Sequence, residues 1–179
     1  MAISPAAEEG WSVGEADVQA STDALRRTLA DFASGVTVVT TNWHGVAHAM
    51  TATAFCSVSL DPPLVLVCVS KTSRFHQAVT SADGWAVSLL SGGQEPIARH
   101  FANRGRELAT QFERIPHTPA PLTGAPLIGG ALAWLECATY ARHDGGDHTI
   151  VVGRVLGTSE TSRPDDPLTY YRGTYSPTV

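Results

Sequence analysis

The run at residues 64–69, LVLVCV, constrains the fold of this chain more than any other stretch. It follows a break at Asp61, Pro62 and Pro63 and has no polar alternation. A strand without a polar face belongs in a sheet covered on both sides, or on the inside of a barrel. The segment around it, residues 47–75, also holds most of the chemistry-bearing side chains. It opens on small residues and hydroxyls (Thr51, Ala52, Thr53, Ala54), where a backbone can approach a flat ligand closely. It closes on Ser70, Lys71, Thr72, Ser73 and Arg74, a cluster of cations and hydroxyls with no acid. Ser73 stands at an N-cap position, ahead of Phe75 and Val79 at i, i+4 spacing. A helix start usually carries an acid in its first turn; this one carries Arg74, Phe75 and His76. Unpaired N–H groups beside two cations make either a phosphate site or a solvated basic loop.

The rest of the chain alternates short strands with shorter helices. Residues 21–33 read as a helix capped by Ser21, Thr22 or Asp23, with Leu25, Leu29 and Phe32 on one face. Gly35 fits its stop. The β-branched run at 36–41 predicts a strand, 42–45 a hairpin turn using Gly45, and 46–54 the returning strand. Residues 55–60 alternate loosely, 73–80 read as a helix, 84–90 as a strand and 94–103 as a helix. Residues 104–126 hold four prolines and no periodicity, which predicts an irregular excursion with a short helix near 107–112. Two strands at 131–142 and 148–156 flank Asp144, Gly145, Gly146 and Asp147, a hairpin signal. A polar loop is expected over 158–167, and a last strand and turn over 168–175. Six or seven strands joined by tight turns argue for an antiparallel barrel with helices outside it. No glycine-rich phosphate loop follows a strand, so a doubly wound nucleotide fold is not expected.

Bulk properties narrow the partners. The net charge is −5, from 12 basic and 17 acidic residues, with no basic run. That excludes nucleic acid as an expected partner. Apolar runs fall short of the roughly 20 residues of a membrane span. Residues 1–20 carry neither a basic nor an apolar leader region and read as a flexible tail, with 21–179 as a single domain. Cys56, Cys68 and Cys137 are odd in number and widely spaced, so they read as small buried hydrophobes in a reducing, cytoplasmic setting. No His or Cys spacing suits a metal. Trp85 and Trp134 fall in strands and read as core. His44, His48, His117 and His143 read as surface or turn residues. Arg99, Arg104 and Arg106 read as a solvated helix face, with an adenine or second phosphate within reach as the alternative.

Several segments, taken in order, resemble the flavin reductase-like domain family. They are FASGVTVVTT (32–41), MTATAFCSVSLDPPLVLVCVSKTS (50–73), RHFA (99–102), GAPLI (124–128), LECA (135–138), GDHTIVVGRV (146–155) and YYRGTY (170–175). The likeness spans roughly residues 24–175. It implies a mainly β fold with short helices, a split Greek-key antiparallel β-barrel that pairs as a homodimer. It implies reduction of FAD or FMN by NADH or NADPH, with reduced flavin released to a separate monooxygenase in aromatic or natural-product oxidation. A flavin carrier or sensor without turnover is the alternative, and pyridoxamine-phosphate-oxidase-like chemistry on the same barrel would need a denser cationic set.

Carried over by motif, Met50, Thr51, Ala52, Thr53, Ala54 and Phe55 would meet the flavin ring and ribityl chain. Val67, Cys68, Ser70, Lys71 and Ser73 would hold the ribityl and phosphate end. His100 and Phe101 would lie near the rest of the flavin, Tyr171 would wall the site, and His148 would face the nicotinamide. The sequence departs from the common pattern at Thr53 and Ala54, where relatives carry Asn and Ser, so one ring-directed hydroxyl is lost or shifted. No cationic cluster for a 2′-phosphate stands out, which points to NADH. Hydride transfer between two stacked rings asks the protein to fix their separation, at roughly 3–3.5 Å between reacting atoms, and needs no nucleophile or acid/base pair.

Overall fold

The computed structural model describes residues 21–162 and 165–177; the tail expected over 1–20 lies outside them. In chain order the elements are α1 (Thr22–Ala30), β1 (Ser34–Gly35), β2 (Thr37–Trp43), β3 (Val46–Ala52), β4 (Phe55–Leu60), β5 (Pro63–Ser70), α2 (Arg74–Ser81) and β6 (Gly84–Leu89). A 3-10 turn (Gly92–Gln94) leads into α3 (Glu95–Ala102), then β7 (His117–Pro119), β8 (Pro126–Ile128), β9 (Ala133–Gly145), β10 (His148–Glu160), β11 (Leu168–Tyr171) and β12 (Thr174–Pro177).

Seven strands form one antiparallel sheet in the order β3-β2-β6-β9-β10-β5-β4. Its hairpins β2–β3, β4–β5 and β9–β10 are joined by connections that skip strands, in Greek-key fashion. The two edge strands, β3 and β4, are consecutive in the chain, so the backbone turns a corner at Thr53 and Ala54 to pass from one edge to the other. One buried cluster joins Val39 and Ala52 near the first edge to Val65, Val67 and Val69 near the other, together with Trp85, Val87, Cys137 and Val151 from between them. A flat sheet could not bring those side chains together; this one curls around its core as a split barrel. A second cluster, with Val38, Ala49, Leu90, Phe101 and Ile128, packs α3 and the β7–β8 ribbon against the outside.

The β2–β3 turn is tighter than the sequence suggests. Trp43 pairs with Val46, and only His44 (φ 51°) and Gly45 (φ 75°) lie between them. Two successive positive φ values suit the right-handed twist of the flanking strands. β5 also departs from expectation, because the apolar run does alternate in burial. Val65, Val67 and Val69 are buried, whereas Leu64, Leu66 and Cys68 are half-buried.

β9 and β10 are longer than expected, and β10 takes in part of the loop foreseen at 158–167. Their ladder is broken by register shifts at Val152/Gly153 and Val155/Gly157. At Gly153 a Cβ would overlap the Trp85 ring and lie 2.9 Å from the Cys137 Cβ, so glycine lets the indole sit inside the barrel. Residues 104–116 contain turns and no helix; bonds such as Glu113 N–H to Thr110 O stay local.

α1 is capped by the Ser21 hydroxyl, which accepts from the Ala24 N–H at 3.1 Å. None of its residues is buried: Leu25 and Leu29, with Phe32 just after the helix, leave an apolar stripe open, Phe32 being 74% exposed. No described helix is long and apolar enough to cross a membrane.

Candidate functional site

A cleft of about 350 Å³ opens where three parts of the chain meet: the end of β3 with the corner after it, the β5–α2 loop, and the end of α3 with the loop that follows. Met50, Thr51, Ala52, Thr53, Ala54, Cys68, Ser70, Ser73, Phe101 and His148 all line it. Thr51 and Ser73, 22 residues apart in sequence, therefore share one wall system. Thr51 donates its hydroxyl to Ala98 O on α3 at 2.7 Å, so its position is set by the helix outside the barrel.

Five of the expected residues lie elsewhere. Val67 is fully buried in the core, because period-2 alternation turns it away from Cys68. Phe55 lines a separate apolar cleft of about 420 Å³ with Phe32, Leu89, Leu90 and Leu132. Lys71 turns to the β9–β10 tip, pairing with Asp144 at 2.7 Å. His100 shares a 2.8 Å hydrogen bond with Gln111 O and holds the following loop. Tyr171 sits on the β11–β12 hairpin with the Arg172 guanidinium over its ring.

The cleft also takes in residues that the sequence reading placed outside a site. Arg104 and Arg106 line it with Arg74, and no acidic residue does among those described. Arg106 was expected on a solvated face; it is half-buried, with four of its five guanidinium N–H groups bonded. Its guanidinium donates to Phe101 O, Asn103 O, Ala49 O and Gln111 Oε1, tying β3, the end of α3 and the excursion together. Burial, and then the Arg74 charge, lower its pKa to about 10. Arg74 in turn donates to Arg106 O at 2.6 Å. Arg104 has no hydrogen-bond or ion-pair partner among the described residues. His48, expected at the surface, is buried on β3; burial, then Arg74 and Arg106, hold its pKa below the usual 6.5. The sequence signal for the arginines was their density at 99–106, but their direction depends on the irregular path after α3.

Ser73 occupies the N-cap of α2, yet its hydroxyl makes no capping bond. Its Oγ is buried and has no hydrogen-bond partner. A buried hydroxyl without a protein partner is one that a water or an anion can satisfy. An anion fits here: the start of α2 and the orphaned hydroxyl lie in a lining that also holds Arg74, Arg104 and Arg106 and, among the described residues, no carboxylate. Small residues line the adjoining wall, leaving room for a flat group.

His148 stands at the rim of the cleft, at the start of β10 and paired with Ser70 across the ladder, half-exposed. Its Nδ1 meets Asp147 Oδ1 at 2.7 Å, which commits that ring nitrogen and leaves Nε2 without a protein partner among the described residues. The hydrogen bond from His148, and then its charge, keep the Asp147 carboxyl below the usual carboxylate range. Cys68 in the cleft has its thiol pushed upward in pKa by burial and then by Cys56, so it stays protonated and unreactive near neutrality. No group of His, Cys, Asp or Glu suited to a metal occurs among the described residues.

A split barrel with a cleft for a flat, anionic ligand is the class that fold and site define. The chain belongs to the flavin reductase like domain family, whose model matches residues 29–178. It is 49% identical over 133 residues to the NADH-dependent FAD reductase of Streptomyces globisporus, covering 74% of this chain and 72% of that protein. It is 38% identical over 152 residues to HsaB, the reductase subunit of a flavin-dependent monooxygenase of Rhodococcus jostii, covering 85% of this chain and 75% of that one. Among solved structures, Streptomyces globisporus C-1027 NADH:FAD oxidoreductase SgcE6, in complex with NAD and FAD fragments, superposes with a TM-score of 0.82 at 41% identity. That match covers 88% of this chain and 92% of the other.

Proposed function

We propose that this protein is the NADH-dependent flavin reductase of a two-component monooxygenase, reducing FAD or FMN and releasing it to a separate oxygenase. The observation that carries the reading is the polarity of the cleft. The α2 start is cationic with an orphaned serine hydroxyl, the wall is made of small residues, and a histidine stands at the rim beside Ser70. When bound, the flavin supplies a ring that accepts a hydride from a dihydronicotinamide. The protein's residues bind and orient. Ser73 Oγ and the first N–H groups of α2 hold the phosphate, and Arg74 and Arg104 add charge there. The backbone from Met50 to Ala54 sets the ring against small side chains, Thr51 being fixed by its bond to Ala98 O. Thr53 and Ala54 leave contact with the ring to backbone groups. Cys68, Ser70 and Phe101 complete the walls, and His148 offers Nε2 on the nicotinamide side.

No acid/base pair is needed, and moderate contacts suit a product that has to leave. NADH is favoured because no further cationic cluster awaits a 2′-phosphate among the described residues, and the Streptomyces globisporus reductase is named for NADH. The oxygenase served acts in aromatic or natural-product oxidation, the protein works in the cytoplasm, and it pairs as a homodimer through its exposed apolar surface. Absorbance assays with each nucleotide and each flavin test the reading. NADH should be oxidised only when FAD or FMN is added. A protein that stays yellow through dialysis and ignores NADH and NADPH would be a carrier, and the proposal would fall.

A further inference from the structure

The tip of the β9–β10 hairpin carries His148 at the rim of the cleft, and that tip is tied down. Gly146 (φ 76°) and Asp147 form the two-residue turn between β9 and β10. Asp144 Oδ1 accepts the Gly146 N–H at 2.9 Å, and its other oxygen meets Lys71 Nζ at 2.7 Å. The Lys71 N–H donates to Asp147 O at 3.0 Å, and Ser70 pairs with His148 across the ladder. Ser70 and Thr72 line the cleft while Lys71, between them, does not.

We propose that Lys71 is a positioning residue: with Asp144 it straps the hairpin tip to the β5–α2 loop and so fixes His148 over the cleft. Its ammonium therefore serves the nicotinamide side of the site and makes no contact with the flavin phosphate. For the direction of its kinetic effect this rests on the function proposed above. The pair is partly open to solvent, with side-chain exposures of 39% and 77%. Exposed pairs of this kind are worth a factor of about two to five. Neither residue belongs to the core, so variants at both should fold.

The test compares Lys71→Met, Asp144→Asn, the double variant and Lys71→Arg. KM for NADH, FMN and FAD dissociation constants by fluorescence, and hydrogen exchange across residues 143–149 are measured. The strap predicts that Lys71→Met and Asp144→Asn each raise KM for NADH by about two- to five-fold. Flavin affinity stays at the wild-type value, tip exchange speeds up in both, and the double variant is no worse than either single one. Lys71→Arg keeps wild-type values. The proposal is overturned if Lys71→Met weakens flavin binding while Asp144→Asn does not, which is the pattern of a direct phosphate ligand. It is also overturned if tip exchange is unchanged in both. Should the wild-type protein oxidise no NADH with either flavin, the function is refuted, and the exchange comparison alone decides whether the strap exists.

Discussion

Ser73 stands at a helix start without capping it. An N-cap serine usually accepts a backbone N–H, a bond worth about 1 kcal/mol. Here that bond is missing and the hydroxyl is buried without a partner. Removing an unsatisfied buried polar atom costs little stability, while a hydrogen bond to a charged group is worth about 1.5–3 kcal/mol. Ser73→Ala should therefore leave the denaturation midpoint of the ligand-free protein within error and weaken FMN binding about 10- to 100-fold. A midpoint that falls with affinity intact would show that the hydroxyl serves the fold.

His48 makes a second prediction at this scale. Its native pKa lies below 6.5, held there by burial and then by Arg74 and Arg106. Below about 6.5 the unfolded chain takes up a proton at this position that the native protein refuses, so stability falls as pH falls. Urea midpoints between neutral and mildly acid pH should drop less steeply in His48→Gln than in the wild type. A flavin phosphate bound as proposed would offset the two arginines and should also flatten the slope. Equal slopes in all three cases would refute this account.

Elements were legible in the sequence where their periods were clean. α1, α2 and α3 follow apolar residues at helical spacing, and the β-branched run of β2 and the glycine turn after it are found close to where expected. The β9–β10 hairpin was legible from its turn, but its length was not. Two register shifts interrupt the alternation that would have marked the strands through Glu160. One of those shifts serves the core, since Gly153 faces the Trp85 ring with no room for a methyl group. Gly153→Ala should destabilise the protein by about 1–3 kcal/mol, as overpacked cores do, seen as a lower urea midpoint with unchanged slope. A wild-type midpoint would mean that the indole has slack.

The cleft was legible to the extent that its walls are contiguous in sequence. Met50 to Ala54 and Ser70 to Ser73 lie in two neighbouring segments, and chain order alone groups them. Arg104 and Arg106 reach the cleft through an irregular segment whose path is set by Arg106 itself, by Gln111 to Ala47 O and by His100 to Gln111 O. No periodicity announces such a path. Val67 and Lys71 were grouped with their neighbours because motif reading takes every residue in a run, whereas backbone alternation points consecutive side chains to opposite sides.

At the scale of the molecule, the unexpected feature is how much apolar surface a single chain leaves open. Leu25 and Leu29 on α1, Phe32 after it and Leu60 on β4 are exposed, Leu60 to 92%. The second cleft lies among residues of the same region, with Phe32 and Phe55 in its lining. Apolar patches of this kind mark surfaces that contact another protein chain, a ligand or a membrane. If that chain is a second copy, Leu29→Glu with Phe32→Glu should shift the protein from dimer to monomer in sedimentation without unfolding it. A wild-type protein that sediments as a monomer at micromolar concentration would refute the homodimer.

Thr53 gives that surface a consequence for the flavin. It sits at the barrel's corner and borders both clefts, the cationic one and the apolar one. The partition between them is one residue thick, so whatever presses against the apolar side also fixes the floor on which the flavin ring would rest. If two copies meet on that side, assembly and ligand affinity are linked by mass action: dilution that separates the chains would also loosen their grip on the cofactor.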